Sequence, residues 1–193
     1  MQVTTEQLFT QARTARGYLP GHEVDEASLR ALYDLVKFGP TSGNCTPLRI
    51  VFARSAEARE KLALCMHKGN NQAKVRAAPV AAILGTDLDF TRLLPRLYRA
   101  DDATAWYMGQ PAKTNSAAVR NAHIQIGYFI IAARALGLDA GPMGGFDPGA
   151  VDLAFWPATP NRSLVICTLG RGDPSRLYPR DERLPFEEAC RID

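Results

Sequence analysis

Pro40-Thr41-Ser42-Gly43-Asn44-Cys45-Thr46-Pro47 is built for contact with a ligand more than for packing. Two prolines bracket small residues whose hydroxyl, amide and backbone groups can come close to a flat polar molecule. A tight connection between two elements would use the same residue types, so the loop gains meaning from what accompanies it. Upstream, Arg13, Thr14 and Arg16 place two guanidinium groups and a hydroxyl within one turn, where a helix is expected to end. Guanidinium groups grip phosphate oxygens in a two-pronged, charge-assisted way that a compact ammonium group cannot match. Taken singly, the same arginines also read as solvated groups complementing a helix C-terminus. Asn70-Asn71-Gln72-Ala73-Lys74 adds amides and a cation at a helix start. Arg180 and Arg183 add two cations in a proline-punctuated tail.

The chain as a whole narrows the options. Its 193 residues can bury a sizeable core and read as one domain, 1–193. The net charge of +3 is too small to mark a nucleic-acid or membrane-surface protein. No stretch approaches the roughly 18 apolar residues of a spanning helix. The polar start, Met1 to Gln7, lacks the cationic-then-apolar order of a signal peptide, which makes the cytoplasm the default location. Cys45, Cys65, Cys167 and Cys190 are widely spread, as reduced thiols are. Cys65 and His67 could supply two metal ligands, but their spacing diverges on a helix and no second pair accompanies them, so no metal is expected. A cysteine nucleophile would pair Cys45 with His67 or His123, yet no nucleophile elbow surrounds Cys45. Neither a G-x-G-x-x-G after a strand nor a P-loop is present.

Capping and periodicity supply the elements that must position these residues. Thr4 to Gln7 spells a capping box, predicting a first helix to about Arg13. Asp25 opens a second helix with Leu29, Leu32, Tyr33 and Val36 on one stripe, ended by Gly39-Pro40. A strand over Arg49–Ala53 follows, and then a third helix capped by Ser55. Pro79 to Leu84 and Ser163 to Leu169 read as strands covered on both faces. Between them, 87–115 has no clean period and carries Phe90, Tyr98, Trp106 and Tyr107, the composition of a lid or an active-site wall. Trp106 and Tyr107 could equally plug a core, and Arg96 and Arg99 could meet a carboxylate or simply be solvated. The longest helix starts at Asn115 or Ser116, runs about 20 residues to Leu136-Gly137, and should be central. Asp147-Pro148 starts another short helix. Helices dominate, with about three core strands.

In register along the chain, five motifs resemble those of the FMN-dependent nitroreductase family. They are Arg13-Thr14-Ala15-Arg16, Pro40 to Pro47, Asn71 to Lys74, Gly137-Leu138-Asp139 through Gly144-Gly145-Phe146-Asp147, and Arg180 to Pro185. The wording of Gly39 to Cys45 and of Leu136 to Met143 is most similar to its malonic semialdehyde reductases, which form 3-hydroxypropionate in pyrimidine degradation. The resemblance implies an α+β, nitroreductase-like fold: a small central mixed sheet surrounded by helices, in an intertwined homodimer with C-terminal tail exchange. It also implies bound FMN, NADH or NADPH as hydride donor, and ping-pong transfer to a small-molecule acceptor. On this basis Arg13, Thr14, Arg16 and Arg183 hold the FMN phosphate, with Arg180 near it. Asn71 and Lys74 address the polar edge of the flavin, and Gly144 and Gly145 lie along its ring, where an absent side chain lets backbone approach. Pro40, Thr41, Ser42 and Asn44 come from the other subunit, and Asn121 stands where the family usually has a flavin-touching glutamine. No catalytic acid or base is implied, since the cofactor carries the chemistry.

Thr46, Leu48 and Gly144 depart from residues common in nitroaromatic reducers, which bears on substrate range and not on flavin binding. A nitroaromatic or quinone reductase is therefore one alternative, and a non-catalytic flavin-binding module another.

Overall fold

The computed structural model describes residues 3–193; Met1 and Gln2, which open the polar stretch read above, lie outside them. Thr4 caps α1 (Thr5–Leu8) through the expected reciprocal box with Gln7. The helix stops at Leu8, well short of Arg13, because it buries no side chain and a short helix without packing does not propagate. In α2 (Glu26–Val36) the Asp25 carboxylate accepts from Ser28 N–H at 2.8 Å, and Leu29, Leu32 and Val36 are buried. Tyr33, at the margin of the stripe, is half exposed.

The chain continues through β1 (Leu48–Ala53), α3 (Ala56–Cys65), α4 (Asn70–Ala77), β2 (Val80–Asp87), α5 (Leu94–Leu97) and α6 (Pro111–Ala135). It closes with β3 (Asp139–Met143), α7 (Pro148–Phe155), β4 (Asn161–Gly170) and α8 (Phe186–Ala189). Ser55 caps α3 and Asp147 caps α7, as their positions in the sequence require. The central helix begins at Pro111, four residues before Asn115. Proline suits a first helical turn, where its missing N–H would have no partner. β3 has no counterpart among the expected strands. It pairs only with β4, and Pro142 is tolerated because the strand is an edge.

The four strands lie in the order β1-β2-β4-β3. All three pairings are antiparallel, where a mixed sheet was expected. Ala53 pairs with Ala81 and Met143 with Ile166, so the β1–β2 and β3–β4 connections re-enter the sheet at the end they left, whereas α6 carries the chain from Asp87, beside Asn161, to Asp139 at the opposite end, beside Gly170. β2 is buried along its whole length, and its alternation sorts the core into two layers. Val80, Ala82 and Leu84 pack with Leu32 and Val36 of α2 and Ile126 and Phe129 of α6. Ala81 and Ile83 face the other way, onto Leu62 of α3, Val75 of α4 and Val151 of α7.

A third cluster closes one end of the molecule. Phe90, Leu94, Ala103 and Tyr107, from the aperiodic stretch, cover Cys45 and the first turns of α6 at Ala117 and Ala118. Tyr107 meets Phe90 edge-on at 5.2 Å, while Trp106 tilts against Tyr98 at 5.4 Å. Among the described residues, no helix is long and apolar enough to cross a membrane.

Candidate functional site

The sequence-derived residues gather at two places. The first lies where β3 ends. Ala15 N–H reaches the Ala140 carbonyl at 3.4 Å, laying Arg13–Arg16 across that strand, and Asp173 N–H donates to the Gly17 carbonyl at 3.0 Å. Beyond β3, Gly145 is tied to the turn before α4, for its carbonyl accepts from His67 N–H at 3.0 Å. A Cβ built on Gly145 would stand 2.6 Å from Nδ2 of Asn71, so that side chain already occupies the space beside the glycine. A Cβ on Gly144 would meet no atom within 4 Å: this backbone faces open space.

Two cations stand near this opening, Lys74 one turn along α4 from Asn71 and Arg16 close to it. Arg16 lies close enough to Lys74 to push the lysine's pKa below its ordinary value, an effect second to the ammonium's own partial burial. Two like charges kept together with no carboxylate between them are unfavourable alone and suited to an anion. Among the described residues, Arg13, Arg16, Lys74, Arg180 and Arg183 enter no ion pair. Arg180 instead donates to the carbonyls of Thr10 and Ala12, at 2.7 and 2.9 Å, strapping the tail to the N-terminal segment. Arg13 donates to the Tyr178 carbonyl. The Arg16 guanidinium lies 3.7 Å above the Tyr178 ring centroid. Thr14 is exposed beside them. Arg183 is exposed too and bonds only the carbonyls of Asp181 and Glu182, so the fold brings Arg180 back to the N-terminal segment and leaves Arg183 along its own tail.

The second place is the Pro40–Pro47 loop. Gly43, Asn44 and Thr46 adopt φ of 57°, 48° and 35°, a left-handed region that is strained for Thr46 above all. Such a path persists because its neighbours overdetermine it. Thr46 N–H donates to the Thr41 hydroxyl at 3.1 Å, the Asn44 amide donates to the Leu97 carbonyl at 2.9 Å, and Cys45 is buried beneath. From α6, the Asn121 carbonyl oxygen accepts from Ser42 N–H at 2.8 Å, and Gln125, one turn on, accepts from Leu48 N–H at 3.1 Å. Asn121 is almost fully buried and its amide nitrogen donates to Ala117, so it shapes the loop from beneath. Pro40, Ser42 and Asn44 stay exposed, with Thr41 partly so. No hydrogen bond among the described residues joins this loop to the cationic opening within one chain.

The other candidate chemistries find no geometry. Burial pushes the Cys45 thiol above its ordinary pKa, away from the thiolate a nucleophile needs. His67 and His123 are both exposed on other elements, and the His123 ring nitrogen contacts only the Val119 carbonyl of its own helix.

Sequence reasoning missed three contributors. The Asp87 carboxylate is fully buried and holds Arg49 at 2.7 Å and Arg92 at 2.8 Å, pinning the end of β2 to the Phe90–Leu93 turn. Gln125 fixes the loop's exit, and Tyr178 stacks on Arg16. Local sequence flags none of them: Gln125 and Tyr178 act on residues far away in the chain, and Asp87 gathers Arg92 from five residues on together with Arg49 from the neighbouring strand.

Residues 10–171 match the Nitroreductase family. A Ralstonia nicotianae protein provisionally named NADH dehydrogenase/NAD(P)H nitroreductase is 50% identical over 187 residues, spanning 97% of this chain and 95% of that one. A Stenotrophomonas maltophilia protein with the same provisional name is 51% identical, over 97% of this chain and 94% of its own. This chain therefore belongs to the nitroreductase family. Among solved structures, a provisionally assigned Exiguobacterium sibiricum nitroreductase in complex with FMN superposes with a TM-score of 0.88. It shares 17% identity and covers 100% of this chain and 99% of that one. A Bacillus subtilis nitroreductase gives 0.86 at 22% identity, covering 96% and 97%. The α+β, nitroreductase-like fold expected from the sequence is thus observed, with an antiparallel sheet in place of a mixed one.

Proposed function

We propose that the cationic opening beside Gly144 and Gly145 is the FMN site of an NAD(P)H-dependent reductase, completed by the Pro40–Asn44 loop of a second copy of the chain. Family membership makes the protein a flavin-dependent oxidoreductase. The single observation that carries the site is the pair of Arg16 and Lys74, close together and in no ion pair, with Lys74 one turn along α4 from the Asn71 that lies beside Gly145, next to a Gly144 backbone facing open space. That arrangement fits a phosphate joined to a flat ring: guanidiniums for the anion, bare glycine for the ring, and the Asn71 amide for its polar edge. When bound, FMN supplies hydride transfer from the nicotinamide to the acceptor. The chain's own part is to bind and orient. Cations near the ring's polar edge favour its anionic reduced form, a preorganised electrostatic contribution.

Two surfaces support the dimer. Ile124 and Tyr128 on the outer face of α6 are exposed beside Leu35 and Phe38. The tail leaves Leu184, Phe186 and Ile192 exposed, at 69%, 55% and 84%, while a groove of about 1000 Å³ runs along the outer edge of β1 past Tyr33, Ile50 and Phe52. A tail exchanged between copies would cover both. Sedimentation should give a dimer, and deletion of residues 184–193 should weaken it.

For the acceptor we propose a small semialdehyde, malonic semialdehyde, on the strength of the motif wording. The names of the relatives favour a second reading, a nitroarene or quinone. Anaerobic mixing of the yellow protein with NADH and NADPH should bleach it, and each acceptor can then be offered in turn. Rapid reoxidation by the semialdehyde supports the first reading, and reoxidation by quinone and nitroarene alone supports the second. Flavin uptake without bleaching refutes the enzyme and leaves a binding module.

A further inference from the structure

We propose that Tyr178 is a positioning residue for the anion site: its ring holds the Arg16 guanidinium flat, so that the edges of the fork stay free for phosphate. The inference rests on the FMN reading above. Tyr178 is exposed and belongs to none of the five family-like motifs, and its ring contributes nothing to the described core. Its centroid nevertheless lies 3.7 Å from the Arg16 guanidinium carbon, at stacking distance.

A guanidinium has a face and an edge. The N–H donors radiate in its plane, and stacking occupies only the face. Among the described residues the Arg16 side chain makes no hydrogen bond to protein, and the Tyr178 ring covers one face of its guanidinium. The neighbouring Arg13 is held through the same residue, by donating to the Tyr178 carbonyl. Arg180, two residues on, anchors the segment to Thr10 and Ala12. The tail therefore delivers an aromatic platform to Arg16 and a backbone acceptor to Arg13 across more than 160 residues of sequence. A long, flexible cation loses rotamer freedom on binding an anion. Ordering Arg16 in advance lowers that cost and raises affinity without touching the ligand.

The test compares Tyr178→Ala and Tyr178→Phe in flavin-stripped protein, with FMN and riboflavin, which lacks the phosphate, titrated separately by flavin fluorescence. Alanine keeps the backbone carbonyl that Arg13 uses and deletes only the platform. It should weaken FMN binding about two- to five-fold, the range of an exposed cation–π contact, and leave riboflavin affinity unchanged. Phenylalanine should restore FMN affinity to that of the wild type. Equal weakening of both ligands, no weakening of FMN, or failure of phenylalanine to restore it each overturns the proposal. Arg16→Ala separates this outcome from failure of the FMN reading. If that variant binds FMN as the wild type does, the site itself is misassigned; if it binds poorly while Tyr178→Ala is normal, only the platform is lost.

Discussion

Gly141→Ala and Gly145→Ala add the same methyl group and should fail in opposite ways. At either position the new Cβ would come within 2.6 Å of its nearest neighbour, well inside contact distance. What differs is whether the neighbour can yield. At Gly141 it is Oγ1 of Thr168, fully buried, accepting from the Tyr18 hydroxyl at 2.6 Å and donating to the Gly141 carbonyl at 3.3 Å. The Ala15 carbonyl at 3.1 Å and the Tyr18 hydroxyl at 3.3 Å close the remaining sides. Overpacking of this kind costs about 1–3 kcal/mol, and a disturbed hydrogen bond adds about 1 kcal/mol, so about 2–4 kcal/mol is expected. With a urea m-value of about 2 kcal/mol/M, the midpoint should fall by about 1–2 M. At Gly145 the neighbour is the far end of Asn71, a side chain with no hydrogen bond to hold it among the described residues. It can swing aside, and stability should change by no more than about 0.5 kcal/mol. The swing nonetheless moves a proposed flavin contact and fills the approach to the ring, so FMN affinity should drop about tenfold, or about 1.4 kcal/mol. Urea melts and flavin titration measure both quantities on the same samples. The reasoning fails if Gly145→Ala lowers the midpoint as far as Gly141→Ala does, or binds FMN like the wild type.

Three further outcomes can be checked. Asp87→Ala strands Arg49 and Arg92; breaking a buried pair costs about 3–5 kcal/mol, and because both arginines retain some access to water the loss should be about 2–3 kcal/mol by urea melt. A shift below about 0.5 kcal/mol would remove Asp87 as an anchor. Gln125→Ala leaves the Leu48 N–H without its acceptor and should cost about 1–3 kcal/mol, with amide exchange at Leu48 accelerating; unchanged exchange would mean that the bond is not made. Burial pushes the Cys167 thiol up to about 12 from its ordinary value near 9, and the Tyr18 hydroxyl is likewise raised by burial. Both groups stay neutral in the fold. Their contribution is therefore complete below about pH 9 and is lost as pH rises, at up to about 1.4 kcal/mol per pH unit for each group. Cys167→Val should flatten the first part of that alkaline decline, and an unaltered limb would contradict the assignment.

Helix starts were legible wherever a side chain closed the first turn, as Thr4, Asp25, Ser55 and Asp147 do, because capping is a local bond between residues three apart. Buried β2 was legible from its unbroken apolar run. β3 was not: Asp139-Ala140-Gly141-Pro142-Met143 has poor strand propensity and exists because β4 offers it an edge. The length of α1 was misread for the converse reason, since capping starts a helix and only packing sustains it. At the site, residue types announced an anion and a ring within each short motif. Which motifs meet was invisible. Nothing local says that Arg180 reaches Thr10, that Asn121 carries the Ser42 loop, or that Asp87 binds two arginines, for these pairings follow from sheet order.

Among the described residues β1 has β2 on one side and no strand on the other, so a row of peptide donors and acceptors lines the molecule's rim. Such a rim is adhesive toward any extended segment. Chains made faster than they find their proper mate would zip together through it and come out of solution, which makes slow, cool expression the condition under which this protein should be recovered intact.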